Sequence, residues 1–227
     1  MSDSHEMRVP RGMIVEFDYA VLPGHQLLLD VCKAQFAEVG LTVDAMSMAH
    51  HMYGKSFTHA LNALTASQQK TVDIPALIAA SNAAFSTALT EVLATGVPAG
   101  FVKFIKAVMA KGVKVIIISR ANADAVRALF PETDGQLLVI QTDTSSGFGF
   151  LGWDVWRRAA RKNELRERLC VAVTGSGYSV KGVLTSSMGA LFRENPLVAY
   201  QDFSGGDVAV QKYEASLADD VARILRI

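Results

Sequence analysis

Two carboxylates two residues apart, Glu16 and Asp18, sit in the segment Met13-Ile14-Val15-Glu16-Phe17-Asp18-Tyr19-Ala20-Val21-Leu22, which opens as an apolar run and leads into the turn Leu22-Pro23-Gly24. A continuous apolar run is how a strand buried on both faces of a parallel sheet reads, and ligands of open α/β sheets bind at the carboxyl ends of such strands. Residues two apart on an extended chain share a side, so the spacing predicts two acids aimed at one spot. Such a pair suits acid–base work or metal binding; the plainer reading is a polar strand tip without chemistry. Ser119 ends the clearest strand in the chain, Val113-Lys114-Val115-Ile116-Ile117-Ile118-Ser119, where its hydroxyl either contacts an anion or caps the next turn. Gly175-Ser176-Gly177 precedes a helix and can receive an anion through backbone amides, or is a plain turn. His50 and His51 are adjacent, face different directions on a helix and make a poor metal pair.

The elements that position these residues follow from periodicity. Leu27, Leu28, Val31, Cys32, Phe36 and Val39 recur at helical spacing between Gly24 and Gly40. Further helices are expected over Val43–Tyr53, Thr58–Leu64 and Asp73–Leu93, the last opened by an Asp cap and a first-turn proline. After Gly96-Val97-Pro98-Ala99-Gly100 the pattern alternates: helix Phe101–Lys111, the Val113 strand, helix Asn122–Leu129, strand Leu137–Gln141, helix Trp153–Glu167, strand Leu169–Val173, helix Ser179–Met188, strand Leu197–Tyr200 and helix Leu217–Leu225. Strand–helix alternation predicts a doubly wound parallel sheet.

Composition sets bounds. The chain has 227 residues, half of them apolar, enough for one α/β domain with an inserted subdomain. Its 22 basic and 22 acidic residues cancel, which argues against a broad nucleic-acid surface. No apolar run approaches the roughly 18–20 residues that span a membrane. The polar start, residues 1–12, reads as a flexible terminus without a secretory signal. Cys32 and Cys170 fit neither a disulfide framework nor a zinc site and are expected as buried free thiols, pointing to a reducing cytoplasmic compartment.

The Met13 segment resembles the first motif of the haloacid dehalogenase (HAD) superfamily, an apolar strand followed by Asp-x-Asp-x-(Thr/Val). The stretch from Pro98 to Ser119 is similar to that family's Pro-Gly, helix, Gly-(Tyr/Val), strand pattern, which ends in a phosphate-holding Ser or Thr. The all-helical stretch after the first strand looks like the cap of subfamily I, and Gly54-Lys55-Ser56 is similar to a Gly-(Lys/Arg)-x turn of such caps. The resemblance implies a Rossmann-like α/β core over residues 13–23 and 95–227 and a helical cap over residues 24–94. It implies catalytic positions at Glu16, Asp18 and Ser119, phosphate contacts from Ser119, Arg120, Asn122, Ser176 and Lys55, and Mg²⁺ on Glu16 and Asp18 if the protein is active.

The sequence departs from the motifs at three chemical positions. The nucleophile position holds Glu16, not Asp, and misplacing a reacting group by about 1 Å can cost on the order of 100-fold. Phe150 stands where the phosphate-neutralising Lys belongs, although Asp154 and the helix carrying Arg158, Ala159 and Ala160 keep the family's spacing. Thr174 and Gly175 stand at the two acidic metal positions, ahead of Ser187-Met188 in place of Gly-Met. Asp143 or Lys55 leaning in would offset one loss. Three losses together imply a pseudo-phosphatase that binds or scaffolds, with a protein or a small phosphorylated molecule as partner and neither nucleic acid nor membrane. Phe148, Phe150, Trp153 and Trp156 would fill the former phosphate pocket or offer a surface to that partner. The alternative is an active, Mg²⁺-dependent phosphatase of a small phosphorylated metabolite.

Overall fold

A computed structural model describes residues 9–131, 137–142 and 149–227. Six strands form one parallel sheet in the order β3-β2-β1-β4-β5-β6. They are β1 (Gly12–Glu16), β2 (Lys114–Ser119), β3 (Leu137–Gln141), β4 (Cys170–Thr174), β5 (Gly189–Phe192) and β6 (Val208–Ala209). Both faces are covered, and side chains along β1 alternate between two cores. Met13 and Val15 join Val115, Ile117, Val171 and Val173 beneath α6 (Phe101–Ala110) and α10 (Leu217–Leu225). Ile14 joins Ile116, Ile118, Ala172 and Ala190 beneath α8 (Trp153–Lys162), where Val155, Trp156, Ala159 and Ala160 are buried. This period-2 division explains why the central strands read as unbroken apolar runs.

Between β1 and β2 the described chain carries helices only: ahead of α6 come the single turn α1 (Phe17–Ala20), α2 (Gly24–Ala37), α3 (Ala45–Ser47), α4 (Phe57–Ser67) and α5 (Ile74–Ala94). The helix expected over Val43–Tyr53 is shorter, because α3 loosens into a π-turn at Met48–Met52 before Gly54 adopts a left-handed φ of 80°. The Asp73 side chain accepts the Ala76 amide at 3.0 Å and starts α5. Leu77, Ser81, Phe85, Leu89 and Leu93, each four apart, form its buried stripe. By length and composition alone α5 is apolar enough to cross a membrane, with a mean hydropathy of 1.3 over its most apolar stretch, although no uninterrupted apolar run of that length is present. Leu, Ile, Val, Phe and Ala together carry that hydropathy while Ser, Thr and Asn interrupt the run, and Glu91 is its one charge.

The strand expected over Leu197–Tyr200 is a 3₁₀ turn, Pro196–Val198, whose start is capped by the Asn195 side chain accepting the Leu197 amide at 2.9 Å. Proline cannot donate to a strand ladder, and the asparagine offers a local alternative. The sheet is completed instead by β5 and β6. The remaining elements are α7 (Ala123–Arg127) and α9 (Gly177–Thr185).

Candidate functional site

Register aligns the carboxyl ends of the central strands: Glu16 pairs with Ile118, and Val15 with Val173. Glu16, Ser119 and Thr174 therefore end three adjacent strands. β1 stops at Glu16, where φ −75° and ψ 83° turn the chain directly into α1. Asp18 thus rides on a helical turn, and the expectation that both acids aim at one spot fails. Glu16 leans towards β4, where Oε2 accepts the Gly175 amide at 2.8 Å and Oε1 accepts the Ser179 hydroxyl at 2.6 Å. Asp18 leans towards β2, where Oδ1 accepts the Ser119 hydroxyl at 2.5 Å and Oδ2 accepts the Arg120 amide at 2.9 Å. Each of the four carboxylate oxygens is engaged by the chain itself.

Two glycines clamp α1. A Cβ on Gly24 would lie 2.2 Å from the Asp18 carbonyl oxygen, and one on Gly175 would lie 2.2 Å from that of Tyr19. The space around the acids is filled by aromatic and cationic groups. The Arg120 guanidinium donates to the Tyr19 hydroxyl at 2.8 Å and lies over the Tyr19 and Phe85 rings at 5.8 and 5.6 Å. The Tyr19 ring also stacks on His25 at 4.6 Å. The His25 Nε2 lies 2.8 Å from the Gly175 carbonyl, so this nitrogen carries the proton. Nδ1 is then left to accept from the Tyr53 hydroxyl at 3.3 Å, tying the π-turn to the sheet.

Burial governs the electrostatics. Glu16 and Asp18 are 1% and 4% exposed. Desolvation pushes the Glu16 carboxyl up to about 7, against the hydrogen bonds from Ser179 and Gly175 that lower it. Asp18 is also raised by burial, with Ser119 and Arg120 opposing. Burial lowers His25 to about 4, in keeping with the neutral ring its hydrogen bonds require. The Thr174 hydroxyl is fully buried and makes no hydrogen bond among the described residues, an arrangement that costs about 1–3 kcal/mol.

The other expected positions have local work. Ser119 Oγ also accepts the Ala121 amide at 3.0 Å. The Asn122 side chain caps α7 by accepting the Asp124 and Ala125 amides. Ser176 Oγ caps α9 through the Ser179 amide. The Lys55 ammonium donates to the His50 carbonyl at 3.5 Å within its own turn. The aromatic cluster divides. Trp156 is a core residue, Phe150 is half-buried against Tyr178 at 5.7 Å, and Trp153 is 51% exposed with Arg157 over its ring. It is therefore Tyr19, His25 and Arg120, rather than Trp153, that pack around the carboxylates. Trp153 is the first residue of α8, one turn before the buried Trp156, and so lies at the exposed end of the helix. Asp143 and Phe148 lie outside the described residues.

His25 was not anticipated. Its signal is its spacing, for with Leu28, Leu29, Cys32 and Phe36 it completes the buried stripe of α2. A histidine in such a stripe must find buried partners. Mg²⁺ takes a near-octahedral oxygen shell built from carboxylates and waters. Here both carboxylates are committed to chain donors, and the third strand tip presents the unpartnered Thr174 hydroxyl. Among the described residues no three of His, Cys, Asp and Glu converge. The residues as arranged do not fit the ion.

A six-stranded parallel sheet with a helical insertion after its first strand and carboxylates at that strand's tip is the architecture of the haloacid dehalogenase-like superfamily, and the chain has that fold. It is similar to a β-phosphoglucomutase from Clostridium difficile, with a TM-score of 0.71 and 10% identity over 96% of this chain and 98% of that one. It is similar to CbbY from Rhodobacter sphaeroides in complex with phosphate, at 0.65 and 13%, covering 92% of this chain and 96% of that one. A HAD family hydrolase from Deinococcus radiodurans, with bound phosphate and sodium, matches at 0.58 and 19% over 95% of this chain and 96% of that one. No family model matches the sequence, and no curated protein does.

Proposed function

We propose that this HAD-fold protein is a pseudo-phosphatase that acts by binding, with residues 24–94 as its cap. One observation carries the reading. The donors at and just beyond the strand tips, namely the Ser119 hydroxyl, the Arg120 and Gly175 amides and the Ser179 hydroxyl on α9, are all occupied by the protein's own Glu16 and Asp18. A phosphoryl group needs such donors, and a carboxylate attacking an anion needs cations to offset the repulsion. In this chain the carboxylates take the anion's place. Displacing them would strand buried charges, at a cost of several kcal/mol each.

CbbY and the Deinococcus hydrolase bind phosphate in their structures. For this chain the reading implies a partner recognised elsewhere on the surface, and a cytoplasmic protein whose cleft is structural. The test is Mg²⁺-dependent release of phosphate from a broad panel of phosphorylated metabolites, with Asp18→Asn alongside. The expected result is release no greater than that of the variant for every compound. Turnover that vanishes in Asp18→Asn would sink the reading and make Asp18 an acid–base group.

A further inference from the structure

At the amino ends of β4 and β5, away from the carboxylates, lies an open groove of about 530 Å³ lined by Arg157, Arg161, Arg166, Arg168, Glu167 and Ser187 among others. β4 runs from Cys170 at the groove to Thr174 at the strand-tip site. At about 3.3 Å per residue the two are separated by roughly 13 Å of sheet. The inference therefore stands whether or not the carboxylate site turns over substrate.

The sequence concentrates charge here. Within Arg157–Arg168 six cations (Arg157, Arg158, Arg161, Lys162, Arg166 and Arg168) face two acids, Glu164 and Glu167, although the whole chain is neutral. The fold then converges them. Arg157 and Arg161 are one turn apart on α8, whose other face is buried. Glu164 adopts a left-handed φ of 59° and reverses the chain, so that Arg166 and Arg168 return across the groove. Ser187, at φ 61°, turns the chain after α9 on the remaining side.

Two of the guanidinium groups are held in place. Arg157 donates to the Thr185 carbonyl at 2.8 Å and stacks on Trp153 at 4.9 Å, and Arg161 donates to Glu167 at 2.7 Å. The Arg166 and Arg168 guanidinium groups, both on exposed residues, make no hydrogen bond or ion pair among the described residues. Four like charges around one groove repel, and a single carboxylate offsets only part of this. A multiply charged anion would gain what the chain does not supply.

We propose that this groove docks a phosphorylated segment of a partner protein. A phosphomonoester carries close to two charges and three acceptor oxygens, which suit several planar arginine forks at once. The groove is larger than a bare phosphate needs, and the exposed Trp153 beside Arg157 offers a neighbouring apolar residue of the segment a place to pack. A nucleic-acid strand would need a basic stripe following its backbone, whereas Glu164 and Glu167 interrupt this one and the chain has no net charge.

The test uses the full chain and fluorescence anisotropy of a labelled peptide carrying one phosphoserine between glutamates with a leucine beside them. The expected result is saturable binding that weakens steeply with salt and by at least about tenfold in Arg166→Glu/Arg168→Glu, but not in Lys33→Glu, a charge reversal on α2. The salt dependence is read on the unaltered protein, and Arg166→Gln/Arg168→Gln gives a second variant if charge reversal impairs folding. Equal binding of the unphosphorylated peptide, tighter binding of a single-stranded RNA, or no binding of the phosphopeptide would each overturn the proposal.

Discussion

One methylene separates Glu16 from the aspartate that the motif leads one to expect. It lets the side chain span from β1 to the Gly175 amide and the Ser179 hydroxyl on the β4 side. The sequence makes the extra length legible but not its direction, because the direction depends on a turn into α1 that two strand-like residues do not announce. The carboxyl is raised to about 7, so the folded chain holds a proton that the unfolded chain, at the ordinary 4.5, releases. Stability from this group is thus present below pH 4.5 and falls as pH rises to about 7. His25, lowered to about 4, acts in the opposite sense: stability falls as pH drops from 6.5 towards 4. Glu16→Gln keeps an acceptor for Gly175 and removes the first effect. Its stability relative to the unaltered protein should rise between pH 4.5 and 8, by up to about 3 kcal/mol, as read by thermal melts across that range. Parallel pH profiles would show that Glu16 is not the buried acid described.

At the scale of elements, the central strands are legible as unbroken apolar runs and the longer helices by their clean repeat. β5 and β6 are not, because four and two residues are too short to show a period. The Pro196 turn was mistaken for a strand because its apolar residues are consecutive and its cap lies one residue upstream. The capping roles of Ser176 and Asn122 were hidden for a related reason. A hydroxyl or amide at a helix start looks the same in sequence whether it serves a ligand or the helix. The junction between α1 and the loop after β4 is set by backbone contact at Gly175, and this gives a direct expectation. Gly175→Ala should destabilise the protein by roughly 1–3 kcal/mol, measured by denaturant unfolding, since backbone rather than a flexible side chain meets the new methyl group. Unchanged stability would mean that the two segments do not approach as described.

For the whole molecule, one continuous core joins the helical block to a face of the sheet, with Phe36, Leu61 and Phe85 in the same cluster as Val15, Ile117 and Val173. The block and the sheet should therefore unfold together. Both tryptophans lie on α8 and report on the sheet side, while far-ultraviolet circular dichroism is weighted by the helices of the block. Coincident denaturant transitions by the two probes are expected, and separated midpoints would show that the block unfolds by itself. The neutral overall charge argues against a uniform basic surface, yet averaging conceals the arginines gathered at the amino ends of β4 and β5.

The close approach of Gly175 to the Tyr19 carbonyl also bears on the history of the site. On the proposed reading Gly175 stands at one of the two positions where the resembling motif carries a metal-binding acid, and a side chain there meets backbone at 2.2 Å. Restoring that acid by a single substitution would disturb the turn that carries Asp18, while shortening Glu16 to Asp would release Gly175 and Ser179 without supplying the missing acid. Each backward step is harmful before the last is taken. On the reading proposed above, the loss behaves as a ratchet: selection would be free to refine surfaces, while a return to phosphatase chemistry would be closed one mutation at a time.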